Sequence, residues 1–255
     1  MNIELVDAHC HINFFETAGD IALECEHRKV HTIYVTTLPS QFDETYRYVK
    51  KLQYVYPSLG FHCLENNYDL YTEKKLFLKN IDKTKFIGEV GLDFSKKAIT
   101  KDDQQIEILE FVLSNIQNKN KILSVHSASA EDKVLELLIK YRINKVIFHW
   151  YSGKISTLKQ ILENNYYFSI NEAMCKSKKG QNIISKLPID KILIETDAPF
   201  IKNILPYENN YVYSYLSDIW DINMDNVKKQ VLKNFHFLLT INTASLFLSK
   251  EFTSL

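Results

Sequence analysis

The chain has 255 residues, 45% of them hydrophobic, enough for one large α/β domain or two small ones. Lys and Arg number 31 and are balanced by 31 Asp and Glu, and Arg occurs only at Arg28, Arg47 and Arg142. This charge balance excludes a broad basic field that would wrap or track long nucleic acid through many phosphates, but not an enzyme that grips one or two of them. The N-terminus has neither a basic leader nor a long apolar core, and no window reaches 18 apolar residues. No signal peptide or membrane span is therefore expected. Cys10, Cys25, Cys63 and Cys175 form no C-x-x-C pair. They read as reduced thiols, consistent with a cytoplasmic location.

In chain order, short apolar or β-branched runs predict strands at about 3–9, 31–37, 55–61, 86–90, 121–126, 145–149, 166–171 and 191–196. Helical patterns separate them. DETYRYVKKLQYV covers about 43–55, and DDQQIEILEFVLSNIQ covers 102–117, with Ile106, Leu109, Val112, Leu113 and Ile116 along one face. Further helical stretches fall at 131–141, 153–164, 179–187, 225–239 and 242–249, and 64–82 is weakly patterned. Eight strands alternating with helices imply right-handed βαβ units and a parallel sheet. Closed on itself, that sheet is a (β/α)₈ TIM barrel, with its active site at the C-terminal mouth of the strands. No linker, repeat or low-complexity tract interrupts the chain, so residues 1–255 are expected to form one domain.

Several polar side chains stand where the apolar runs end. LVDAHCH carries Asp7, His9 and His11, SLGFH ends at His62, and FIGEV carries Glu89. ILSVH ends at His126, VIFH at His149, and ILIETD carries Glu195 and Asp197. Imidazole and carboxylate groups are costly at the edge of an apolar core unless something binds them. A divalent cation is the simplest species that would bind all of them at once. Period-2 spacing places Asp7, His9 and His11 on one strand face, where two imidazoles can clasp an ion and Asp7 can orient one of them. Asp197 reads as a direct ligand, with Glu195 one layer deeper. His27, His31 and His236 fall at helix or strand-start positions and read as structural. The aromatic stretch YVYSYLSDIW (211–220) reads as helix packing, with a partner surface as the other reading.

The segments DAHCHIN, GFH, IGEVGLDF, VHS, HWYSG, FSINEAM and ILIETDAPF, in that order between residues 7 and 200, resemble the TatD family of metal-dependent deoxyribonucleases. The resemblance implies a TIM-barrel phosphodiesterase that acts on DNA ends from the 3′ side with divalent cations. It implies that His9, His11, Glu89, His126, His149 and Asp197 are metal ligands. It also implies that His62 lies near the substrate phosphate. Two ions (Zn, Mn or Mg) would share Glu89, with His9, His11 and Asp197 on one and His126 and His149 on the other. A water activated between them would attack phosphorus, with Asp197 orienting it or taking its proton. His62 and Lys202 would help neutralise the phosphate.

The chain departs from the family pattern in three places. Cys63 follows His62 where the family has Pro. Ser127 and Ala128 follow His126 where the family often has Arg at the second position. Lys202 is the one basic residue in FIKNILPYENNYV, where the family has an Arg/Asn-rich loop. These changes affect phosphate and base contacts and leave the ligand set whole. The expected partner is a DNA strand end of a few nucleotides. Other readings are an ester hydrolase acting on aminoacyl-tRNA, or a subunit of a bacterial defence or repair assembly with a protein partner. Amidohydrolases that bridge two metals with a carboxylated Lys are disfavoured, because strand 4 offers Glu89 and no Lys.

Overall fold

The structure is a computed structural model and describes residues 3–62, 64–96, 98, 100–201 and 204–240. The strands are β1 (Leu5–Cys10), β2 (Val30–Val35), β3 (Val55–Phe61), β4 (Phe86–Gly91), β5 (Ile122–His126), β6 (Val146–His149), β7 (Tyr167–Ile170) and β8 (Ile192–Ile194). They form one sheet in chain order, and each successive pair is parallel. Burial on both faces explains why the strands read as near-continuous apolar runs rather than as alternating ones.

The seam between β8 and β1 is closed just past the end of β8. Asp197 N–H donates to His9 O at 3.0 Å and His11 N–H to Ala198 O at 2.7 Å. The Asp7 carboxylate accepts from Thr196 N–H at 3.0 Å and from the Thr196 hydroxyl at 2.5 Å. The expected barrel is therefore present, with the closing joint made by two backbone hydrogen bonds and the buried Asp7 carboxylate.

The helices between strands are α1 (Ala18–His27), α2 (Pro39–Val49), α3 (Leu70–Asn80), α4 (Asp102–Ile116), α5 (Glu131–Lys140) and α6 (Ile155–Glu163). After β7 come α7 (Glu172–Lys176) and α8 (Lys178–Ile184), and after β8 come α9 (Asn210–Trp220) and α10 (Met224–Thr240). The helix expected at 43–55 begins earlier. Pro39 sits at its first turn, and Gln41 Oε1 accepts from the Thr37 and Leu38 N–H groups. In the weakly patterned 64–82 region, α3 starts where Asp69 accepts from Thr72 N–H at 2.8 Å. Helix α1 has no counterpart among the expected elements; it buries only Ile21, Ala22 and Cys25. The 242–249 stretch, Lys202 and Cys63 lie outside the described residues.

Within the aromatic stretch of α9, Val212, Tyr213 and Leu216 are buried, and the Tyr213 hydroxyl accepts from Val6 N–H at 3.0 Å. That face is packing. At the N-terminal end of the barrel, Phe235 of α10 lies against His31 and Tyr56. His31 bonds Glu4 at 2.9 Å and Tyr56 at 2.8 Å, as a structural histidine should. No helix among the described residues is long and apolar enough to cross a membrane.

Candidate active site

Glu89 stands at the centre of the C-terminal mouth. Its placement depends on a close backbone approach. The Thr36 carbonyl passes Gly60 and accepts from Glu89 N–H at 2.9 Å. A Cβ on Gly60 would lie 1.7 Å from that carbonyl oxygen, so only glycine leaves the path open. The strand then exits through Gly91, at φ +144°, where a Cβ would meet His126 O at 1.9 Å.

Five imidazoles surround the Glu89 carboxylate. Oε1 lies 3.0 Å from both His126 Nδ1 and His149 Nε2, and 3.7 Å from His62 Nδ1. Oε2 lies 3.3 Å from His11 Nε2 and 3.8 Å from His9 Nε2. Asp197 Oδ1 closes the second group at 3.6 Å from His11 Nε2 and 3.8 Å from His9 Nε2. Asp197 adopts φ +51°, a left-handed conformation that Asp tolerates better than most residues. The Nε2 atoms of His9 and His11 face each other at 3.1 Å.

This arrangement suits cations. Metal–nitrogen and metal–oxygen bonds of about 2.0–2.2 Å hold neighbouring donors a little over 3 Å apart, in the range of the closer pairs here. Two of the donor groups, His9–His11–Glu89 and His62–Glu89–His126, share Glu89. A third, His9–His149–Glu195, shares His9 with the first. His62 thus lies among the donors rather than at a distance from them. Another group, Glu4–His31–His236, lies at the opposite end of the barrel, where both ring nitrogens of His31 already have partners.

Three side chains turn the imidazoles inward. His9 Nδ1 meets Ser124 Oγ at 2.7 Å, leaving Nε2 for the centre. His126 Nε2 meets Asp93 Oδ2 at 3.1 Å, leaving Nδ1. The third is electrostatic rather than a hydrogen bond: His149 Nδ1 lies 3.6 Å from Glu195 Oε1, and that carboxylate is itself held by Asn171 and Ser169. Hydrogen bonds such as those made by His9 and His126 fix the tautomer of a ligating histidine and raise its basicity. The expectation that Asp7 orients an imidazole is corrected. Its oxygens are taken by Thr196 and by the His9 N–H at 3.3 Å, so it fixes the backbone and the seam. Ser124 shares strand parity with His126, which gives its face but not its partner His9. Asp93 carried only its position four residues after Glu89.

The electrostatics separate the two carboxylates. Burial alone would raise Glu89, but His62 and His149 hold it well below the usual carboxylate range. Burial drives Asp197 well above that range, with His149 opposing. The His9 imidazole is pushed well down by burial, and His62 to about 4. His149, although desolvated, is held well above its ordinary value by Glu195 and Glu89. Beside His126 and His149 opens a cleft of about 460 Å³, lined in part by Ser127, Ser129, Ser152 and Trp150.

A parallel eight-stranded barrel whose C-terminal mouth gathers histidines and carboxylates around one central Glu has the architecture of a metal-dependent hydrolase barrel. The family described as TatD related DNase matches residues 6–240, and the chain belongs to that family. It is 24% identical to "Deoxyribonuclease TATDN3" of Homo sapiens, covering 91% of this chain and 93% of that protein. It is 26% identical to a metal-dependent hydrolase of Methanocaldococcus jannaschii, covering 91% and 96%. Among solved structures, the TatD homologue YjjV of Escherichia coli aligns with a TM-score of 0.84 at 20% identity, covering 95% of this chain and all of that one. A TatD family hydrolase of Entamoeba histolytica aligns at 0.78 and 17% identity, covering 93% and 98%. The protein is an enzyme of the class that hydrolyses ester bonds.

Proposed function

We propose that the protein is a two-metal phosphodiesterase that removes nucleotides from the 3′ end of a DNA strand. The observation that carries this reading is the divided Glu89 carboxylate, with one oxygen toward His126 and His149 and the other toward His9 and His11. His9, His11 and Asp197 would hold one divalent ion, His126 and His149 the other, and Glu89 both. Bound ions supply Lewis acidity at the phosphate and a water that is nucleophilic near neutral pH. Asp197, once it holds an ion as a carboxylate, would orient that water or take its proton. His62 sits beside Glu89 and would donate a hydrogen bond to a phosphate oxygen, with the charge of Lys202 assigned to the same phosphate from the sequence alone. Ser124 and Asp93 keep His9 and His126 turned toward the centre by hydrogen bonds, and the Glu195 carboxylate faces the outer nitrogen of His149 at 3.6 Å. The names of the deoxyribonuclease relatives support DNA as the substrate.

The test pairs metal analysis of the purified protein with single strands labelled at the 3′ or the 5′ end and with aminoacyl-tRNA. The expected result is two ions per chain, with early release of the 3′ label that a chelator abolishes. Metal-loaded protein that leaves DNA intact, or that prefers the aminoacyl ester, would overturn the proposal.

A further inference from the structure

Beside the candidate ligands, two phenylalanines project from adjacent loops at the rim. Phe14 follows β1 and is 47% exposed; Phe200 follows β8 and is 57% exposed. Their ring centroids are 5.2 Å apart at an interplanar angle of 61°, so they form an open corner. Both rings also contact the His11 imidazole, with centroids at 5.8 Å for Phe14 and 5.0 Å for Phe200. Single exposed apolar side chains are ordinary, but these two are in mutual contact at the lip of the candidate centre.

We propose that Phe14 and Phe200 form a stacking corner for one unpaired nucleobase of the nucleotide whose phosphate is cleaved. The proposal rests on the phosphodiesterase reading above and adds the feature that selects a single-stranded or frayed end. Three observations favour a base as the occupant. The corner abuts His11, one of the candidate ligands, so a base joined through its sugar to the scissile phosphate falls within its reach. All three arginines lie at or near the C-terminal ends of α1, α2 and α5, which feed the barrel face opposite the mouth. The chain is charge-balanced, so affinity has to come from contacts other than a basic groove. Stacking on aromatic rings supplies such affinity without reading sequence, because every base presents a π-face. A paired base has both faces covered by its neighbours and cannot enter the corner without unstacking.

The experiment compares wild type, Phe14→Ala, Phe200→Ala, the double variant and Phe200→Trp. The substrates are single strands that are intact or abasic at the last or penultimate 3′ nucleotide. The double variant should lose about 10- to 100-fold in kcat/KM on the intact strand, the range expected for removing a stacked base. Wild type should lose the same factor on one of the two abasic strands, and on that strand the double variant should lose little more. Phe200→Trp should retain activity on the intact strand, and bound metal should be equal in all five proteins. Equal losses by the double variant on intact and abasic strands, or no loss on either, would overturn the stacking corner while leaving the nuclease reading in place. Wild type inactive on every strand would overturn both.

Discussion

Glu89→Ala removes the one carboxylate that faces both halves of the proposed centre. The magnitude follows from the contacts. Groups that merely orient a ligand contribute about 10- to 100-fold to metal affinity. A side chain that touches the ion itself should exceed that on each half. Loss from one half alone then predicts a rate below about 1% of wild type, and loss from both a fall of about 10⁴-fold. Glu89→Gln should lie between. An amide presents one acceptor oxygen and a donating nitrogen, so it can serve Oε1's neighbours or Oε2's but not both.

The fold should survive. Glu89 is 4% exposed, and its desolvation is a cost that alanine removes. The assay is bound metal per chain after dialysis at fixed free metal, with hydrolysis of a 3′-labelled strand and circular dichroism measured in parallel. The expected order is two ions for wild type, about one for Glu89→Gln and fewer for Glu89→Ala. A folded Glu89→Ala protein that keeps wild-type metal content and activity within about tenfold would refute the bridging role.

Gly60→Ala puts a methyl 1.7 Å from Thr36 O and should move the Glu89 N–H off that carbonyl. Thermal unfolding should show a loss of about 3 kcal/mol or more, with reduced metal content, and a wild-type melting temperature would contradict the close approach. Burial would raise the Asp93 carboxyl, but hydrogen bonds from His126 and Ser95 hold it down to about 2. Asp93→Asn should therefore weaken metal binding on the His126 side by about 10- to 100-fold with the fold intact, and an unchanged metal titration would argue against it. At the other end of the barrel, the His31 hydrogen bond holds Glu4 below 4.5, so its contribution to stability is present above that pH and is lost as pH falls through the lowered value. Burial holds His31 below 6.5, so the unfolded chain takes up that proton first, and stability also falls as pH drops below 6.5. His31→Gln should flatten the decline in denaturant midpoint between about pH 7 and 5, and a slope equal to wild type would refute the coupling.

Much of the barrel and its mouth could be read along the chain because the signals are local. Eight apolar runs alternate with helical periodicity, and period-2 parity places His9 with His11. The polar residue at the end of a buried run marks the C-terminal mouth, because that is where a parallel strand leaves the core. The weaker elements lacked such signals. Helix α1 buries only three residues, and α3 is set by one cap at Asp69. Tertiary structure decided the contacts between residues far apart in the chain. Asp7 reads as an imidazole partner from its parity, yet Thr196, 189 positions away, takes its oxygens once β8 closes on β1. Asp93 and Ser124 become orienting groups only when the sheet register brings them to His126 and His9. Phe14 and Phe200 are unremarkable apart, and the same closure joins them into a corner beside His11. Local periodicity reports which face a side chain takes; barrel closure selects its neighbour, because closure alone brings the first strand beside the last.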